Sequence, residues 1–303
     1  MTVTVDVADR VDKVLARAFP AAGRRQLARM FADGAVRLGG RKLAKGDRVA
    51  AGDVLDLAHA PATEAEHAPV ADPAIAARLT VLAQTAAVVV VDKPAGIPSQ
   101  PLRAGETGTV ANGLAAGWPE CAAACVAADQ DPRDGGLVHR LDVWTSGAIA
   151  AARTPAAYHA LRAAFRAGTV RKEYLAIVRG RVAARSCEAS LAQRGDHVVV
   201  DEAGGLSAHT EFEVVRAQGD SALVRCIAHT GRMHQVRAHL ALVGAPIVGD
   251  VRYGGPPAAG DDGFYLHAAR LALPAVEGGE PIVADAPIPE RFAHMLRALG
   301  LDG

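Results

Sequence analysis

The stretch Gly136 to Gly147 restricts the fold more than any other. A short apolar run, Leu137-Val138, meets the charged turn His139-Arg140-Leu141-Asp142 and leaves through Thr145-Ser146-Gly147 into a second apolar run, Ala148 to Ala152. Two buried segments joined by a polar turn hold that turn on a rigid base while keeping it open to a cleft. A carboxylate so placed can act as nucleophile or base. The same residues fit a plainer reading, a solvated turn closed by an Arg140–Asp142 ion pair. Pattern alone leaves both open.

Strand and helix signals surround this turn. The β-branched run Val88 to Val91 reads as a buried strand, stopped where Pro94, Gly96 and Pro98 force a loop. Thr154-Pro155 is an N-cap followed by proline at the first helical position, and Tyr158, Leu161 and Phe165 form a core stripe that Gly168 closes. Arg171 to Val178 alternates as a strand, with Lys172, Tyr174, Ala176 and Val178 on one face. Residues 187–228 read as an antiparallel meander with strands at 197–200, 208–215 and 222–228. Thr230-Gly231 opens a helix that Gly244 ends, on which His234 and Arg237, three apart, share a face. Residues 117–133, rich in Ala and Cys, read as a variable insertion.

A net charge of zero hides a gradient. Residues 1–60 carry eleven basic side chains against seven acidic ones, and residues 162–185 carry seven against Glu173 alone. Basic blocks of this kind fit a face that meets phosphate. Within residues 1–60, two helical patterns precede short β pairing, and Arg24, Arg25, Arg29 and Lys42 make an expected RNA-gripping head. The Ala-, Pro- and Glu-rich residues that follow lack periodicity, so 61–82 is expected to be a linker and 83–303 the catalytic domain. No apolar run reaches the ~20 residues of a membrane span, no signal peptide is expected, and four cysteines point to a reducing cytosol. Cys121 and Cys125 read as loop thiols. His229, His234 and His239, spaced by five, scatter around a helix, so no metal is expected. Nor is a cofactor, since neither a dinucleotide fingerprint nor a phosphate loop occurs.

His139-Arg140-Leu141-Asp142, two variable residues, then Thr145-Ser146-Gly147 resembles the signature of the RluA family of pseudouridine synthases, which convert uridine in RNA to its carbon-linked isomer. Asp92 to Gly96 resembles the family's first motif, a structural element beneath the active-site turn. Lys172-Glu173-Tyr174-Leu175-Ala176 resembles the second, and Thr230 to Asp250 the third. Arg24 to Leu27 together with Asp33 to Lys42 resembles an S-four-type RNA-binding domain. The resemblance implies an α+β fold with a mixed, largely antiparallel sheet. It makes Asp142 the catalytic aspartate, Arg237 its partner and Tyr174 the ring that stacks on the target uracil. Arg140 would fill the space the base vacates, and His139, Thr145, Arg232 and His234 would meet RNA. One position departs from the pattern: Trp144 stands where the family has an acid.

Breaking the ribose–nitrogen bond, turning the base and rejoining it through carbon five suits a carboxylate nucleophile that attacks ring or sugar. An arginine opposite favours its charged form, and the target base must leave its stack. A glycosidase needs a second carboxylate, and Glu173 lies on the face opposite Tyr174. A serine hydrolase needs Gly where Trp144 stands. The expected partner is RNA, large-subunit ribosomal ahead of transfer RNA, acted on by a cytoplasmic monomer that touches no membrane. The remaining alternatives are a transfer-RNA-specific synthase and an inactive RNA-binding protein of the same fold.

Overall fold

The computed structural model describes residues 1–20, 22–61, 68–103, 105–258 and 262–302, and the side chains of Arg24 and Arg25 also lie outside this description. The chain divides into two compact units, Met1–Ala68 with Arg103–Gly105, and Pro69–Leu102 with Glu106–Gly303.

The first unit runs β1 (Thr2–Thr4), β2 (Asp9–Arg10), α1 (Val11–Ala18), α2 (Arg24–Ala32), β3 (Val36–Leu38), β4 (Arg41–Lys42), β5 (Arg48–Val49) and β6 (Val54–Leu57). Helical spacing aims Val11, Val14 and Leu15 of α1 and Leu27 and Met30 of α2 at one core. The strands order as β1-β6-β3-β4, and β6 alternates Leu55 and Leu57 inward with Val54 and Asp56 outward. Arg29 is half-buried and Lys42 exposed.

The expected linker needs correction. Residues 62–67 lie outside the described residues, but from Pro69 the chain is folded into the second unit. The Asp72 side chain accepts the Ala74 and Ile75 N–H groups and caps α3 (Pro73–Ala76), whose Ile75 packs with Leu79 and Leu114. A helix of one turn is too short to leave a periodic signal, so the composition read as a tether. Strand β7 (Thr80–Gln84) follows at once.

The second unit continues through β8 (Val88–Lys93), α4 (Val110–Gly117), α5 (Pro119–Ala127), β9 (Ser146–Ala152), α6 (Pro155–Ala167), β10 (Arg171–Arg179), β11 (Ser186–Cys187), β12 (Leu191–Arg194), β13 (His197–Val200), β14 (Thr210–Gln218), β15 (Ser221–Ala228), α7 (Gln235–Leu242), β16 (Leu266–Leu273), β17 (Ile282–Asp285) and α8 (Glu290–Ala298). Among the described residues a nine-stranded sheet orders β11-β14-β15-β10-β16-β9-β8-β7, with β17 also on β16. Its ladders are antiparallel except that of β9 with β16. This is the mixed, largely antiparallel sheet expected.

Period-two geometry explains why β8 and β9 carry no polar alternation. Val88 and Val90 join Ala148, Ala150 and Ala152 under Tyr158 and Leu161 of α6, whereas Val89 and Val91 join Ile149 and Ala151 against Leu114 of α4. Both faces are covered, at about 1.5–3 kcal/mol for each valine withdrawn from water. Helix α6 is capped as its sequence implies, with Thr154 Oγ1 accepting the Ala157 N–H and Gly168 left-handed. At Gly147, φ is +108° and a Cβ would lie 2.2 Å from the Ala268 carbonyl oxygen, so only glycine permits β9 and β16 to meet.

Three readings change. Residues 117–133 are largely helical, and Cys121 and Cys125, four apart on α5, are fully buried core thiols, not loop thiols. Burial pushes them up to about 12 and about 11, which leaves them unreactive. The meander is interrupted: β13 pairs with β12 in a separate hairpin, whereas β14 and β15 join the main sheet across the Gly219 turn, with β11 on β14. The helix expected from Thr230 starts at Gln235, because His234 adopts φ +51°.

Candidate active site

The turn carrying Asp142 is held from both sides. The Ser99 hydroxyl donates to the Leu141 carbonyl (2.7 Å) and accepts the Leu141 N–H (3.0 Å). Beyond Asp142, the fully buried Lys93 at the end of β8 donates to the carbonyls of Pro94 (3.1 Å), Val143 (2.9 Å) and Thr145 (2.7 Å). An ammonium has three donors, and all three are used. Removal from water lowers Lys93 to about 7, against the pull of Asp142 and Asp92. Lysine here fixes the backbone that aims Asp142.

Helix α7 supplies the countercharge. Arg237 Nη1 donates to Asp142 Oδ2 at 2.9 Å, while Nε and Nη2 form a fork on Asp250 at 2.7 and 2.8 Å. The guanidinium also lies 4.2 Å from the centroid of Phe264 and 5.0 Å from that of Tyr253. Burial opposes its charge, but the hydrogen bonds to Asp250 and the charges of both carboxylates outweigh this and raise Arg237 above its usual range. The division of labour follows from the geometry. Asp250, at 1% exposure, takes the bidentate edge and orients the fork, and Asp142, at 26%, receives the single remaining contact and faces the opening. Two carboxylates share one guanidinium, so Asp142 is attracted without being neutralised.

His234 completes this side. Its Nδ1 is 3.0 Å from the Tyr253 hydroxyl and its Nε2 is 3.8 Å from Asp142 Oδ1. Desolvation and the nearby Arg237 lower it, although Asp142 pulls the other way. Tyr174, half-buried on β10, packs against two apolar clusters of the second unit. Burial and the charge of Asp142 push its phenol well above the usual range, so its hydroxyl stays neutral. Strand order sets β10 and β9 on either side of β16, which brings Tyr174 and the Asp142 turn over the same stretch of sheet.

The other expected residues divide. Arg140 and Arg232 are exposed, with Arg232 Nε on the Ser207 carbonyl at 2.9 Å. His139 is half-buried and Thr145 is buried. The His139 ring stacks on Phe165 and its Nε2 accepts the Ala150 N–H at 3.0 Å, so burial drives it down to about 3. Thr145 is buried, and its carbonyl belongs to Lys93. A motif marks the turn without saying which of its side chains point inward. Asp250, Ser99, Tyr253 and Phe264 have no role assigned by the sequence reading. An acid directly after the apolar Val248-Gly249 was the one available hint. Trp144 packs on Gly263, where a Cβ would come within 2.0 Å of the indole, and lies 5.5 Å from the Arg291 guanidinium. The indole of Trp144 fills the space beside Gly263.

A carboxylate on a rigid turn, a guanidinium shared with a buried second acid and a neutral tyrosine nearby form an arrangement suited to nucleophilic or electrostatic catalysis. A model of the RNA pseudouridylate synthase family matches residues 87–242. A relative in Neisseria meningitidis serogroup A, ribosomal large subunit pseudouridine synthase D, is 31% identical over 318 residues, 100% of this chain and 82% of the relative. Its namesake in Xanthomonas campestris pv. campestris is 34% identical over 311 residues, 97% of this chain and 89% of that one. The solved structure of human RNA pseudouridylate synthase domain containing 4 shares the fold with a TM-score of 0.58 at 24% identity, over 75% of this chain and 96% of that chain. The chain belongs to the RNA pseudouridylate synthase family and is an enzyme of that kind. Among the described residues no helix is long and apolar enough to cross a membrane.

Proposed function

We propose that this protein isomerises specific uridines of large-subunit ribosomal RNA, with Asp142 as the nucleophile. In this reading the target nucleotide leaves its stack, at a cost of a few kcal/mol, and its uracil lies against Tyr174. Asp142 attacks the ring or assists an intermediate at the sugar, and the bond from ribose to the base nitrogen breaks. The base turns within the pocket, carbon five bonds to the ribose, and the hydrogen displaced from carbon five is lost as the base nitrogen gains a proton. Arg237 holds Asp142 in place throughout, and Arg140 fills the space left in the RNA. No step calls for a cofactor.

The observation that carries this reading is the 2.9 Å contact of Arg237 with Asp142 while Asp250 holds the rest of the guanidinium. The ribosomal substrate is inferred from the names of two relatives that match nearly the whole chain. Residues 1–60 would act as an S-four-type head gripping RNA through Arg24, Arg25, Arg29 and Lys42, in a cytosolic monomer. The test is to incubate the protein with ribosomal and transfer RNA transcripts and map pseudouridine chemically. Conversion in large-subunit RNA is expected. Conversion in transfer RNA alone replaces the substrate, and binding without conversion refutes the enzymatic reading.

A further inference from the structure

On the β14–β15 side of the second unit, away from Asp142, two imidazoles and a carboxylate converge. The backbone builds the arrangement: the His229 N–H donates to the His209 carbonyl at 3.1 Å, just beyond the Thr210–Ala228 cross-strand pair. Glu211 follows two residues after His209, on the same face of the strand. The two imidazoles stack with centroids 4.5 Å apart and planes 17° from parallel. His229 Nε2 is 3.0 Å from Glu211 Oε1, and Glu188 brings a second carboxylate within 3.6 Å of His209 Nε2. One ligand atom each of His209, Glu211 and His229 lies within 4.8 Å of the others. His209, Glu211 and Glu188 also line a groove of about 550 Å³.

The geometry points to a divalent transition-metal site of the zinc type held by His209, His229 and Glu211, with Glu188 or water in the fourth position. Two imidazoles and a carboxylate are borderline ligands that suit Zn²⁺ over Mg²⁺ or Ca²⁺. Tetrahedral bonds of about 2.0–2.2 Å put ligand atoms about 3.4 Å apart, so the side chains must close by about an ångström. All three side chains are partly exposed, while the backbone is fixed by the His229 N–H to His209 carbonyl bond and the Glu211–Ile227 cross-strand pair. Two carboxylates would balance the ion's charge. The nearby Arg225 does not compete, because Glu213 already engages it.

The site is wired to the loop that enters α7. The His209 N–H donates to Thr230 Oγ1 (3.0 Å), Thr230 Oγ1 donates to Gln235 Oε1 (2.7 Å), and Gln235 Nε2 donates to the His209 carbonyl (2.9 Å). A metal joining His209 to His229 therefore clips the segment from which His234 and Arg237 project. It holds the loop and takes no part in the isomerisation.

The full chain, stripped with chelator, is dialysed against Zn²⁺ and separately titrated with Co²⁺ under visible light. Wild type and Asp142→Asn should each take up one ion, give the d–d absorption of a four- or five-coordinate centre and melt at higher temperature with Zn²⁺ present. His209→Gln and His229→Gln should melt like wild type in chelator, showing that they fold, and should lose the uptake, the spectrum and the metal-induced rise. A cobalt–thiolate charge-transfer band, uptake unchanged in the double histidine variant, or no uptake by wild type would each overturn the assignment.

Discussion

Substituting Asp250 by asparagine isolates the role of the buried acid. The change keeps the volume but removes the charge and turns one of the two acceptors facing Arg237 into a donor. Two hydrogen bonds of 2.7 and 2.8 Å to a guanidinium are thus reduced to one at best, in a place water does not reach. Removing one partner of a buried ion pair costs about 3–5 kcal/mol, and the lower end applies because one acceptor survives. At about 2–4 °C per kcal/mol for a domain of this size, the melting midpoint should fall by about 6–12 °C. Asp142 becomes the guanidinium's only anionic partner, so Arg237 should swing toward it and take the reacting geometry with it. A displacement of about 1 Å is enough to lower turnover about 100-fold. Asp250 does not reach the opening, so KM should change little. Differential scanning calorimetry and single-turnover release of tritium from carbon five of labelled uridine in RNA measure the two effects. An Asp250→Asn protein that melts within about 1 °C of wild type and turns over at the wild-type rate would refute the shared-guanidinium reasoning.

Lys93→Met should leave the Thr145 carbonyl without its donor, at about 1–3 kcal/mol for a buried unpaired group, and lower kcat more than it raises KM in steady-state assays. Tyr174→Phe keeps the ring and should stay within a few-fold of wild type, whereas Tyr174→Leu should lose about tenfold in kcat/KM, since stacking on a base is worth about 1–3 kcal/mol. Acid should destabilise the fold in a defined window. Burial lowers His139 to about 3 and lowers His239 and His267 as well, while their unfolded counterparts titrate near about 6.5. The unfolded chain then binds more protons, so their contribution is complete above about pH 6.5 and is lost as pH falls toward about 3. Melting midpoints should fall as pH drops across that range, and His139→Gln should flatten the dependence.

The sheet was legible where local chemistry decides it. Val88 to Val91 read as a buried strand from their β-branched content, and Thr154-Pro155 with Gly168 bounded α6 almost to the residue. The contact of Arg237 with Asp142 was readable only through motif order, because 95 residues separate the two partners. What stayed hidden depends on side-chain direction and long-range pairing. Nothing local distinguishes the inward His139 from the outward Arg140, although they are adjacent. Asp250 gains its meaning only when α7 folds back against it. The Pro69–Leu79 segment looked like tether because a one-turn helix anchored by Asp72 has no periodicity to detect.

The central claim is that Asp142 performs chemistry rather than holding RNA. The most direct measurement pairs RNA affinity with single-turnover conversion for wild type and Asp142→Asn on the same large-subunit transcript. Unchanged affinity with conversion abolished is the predicted result. Conversion persisting in Asp142→Asn at a rate near wild type would contradict the account.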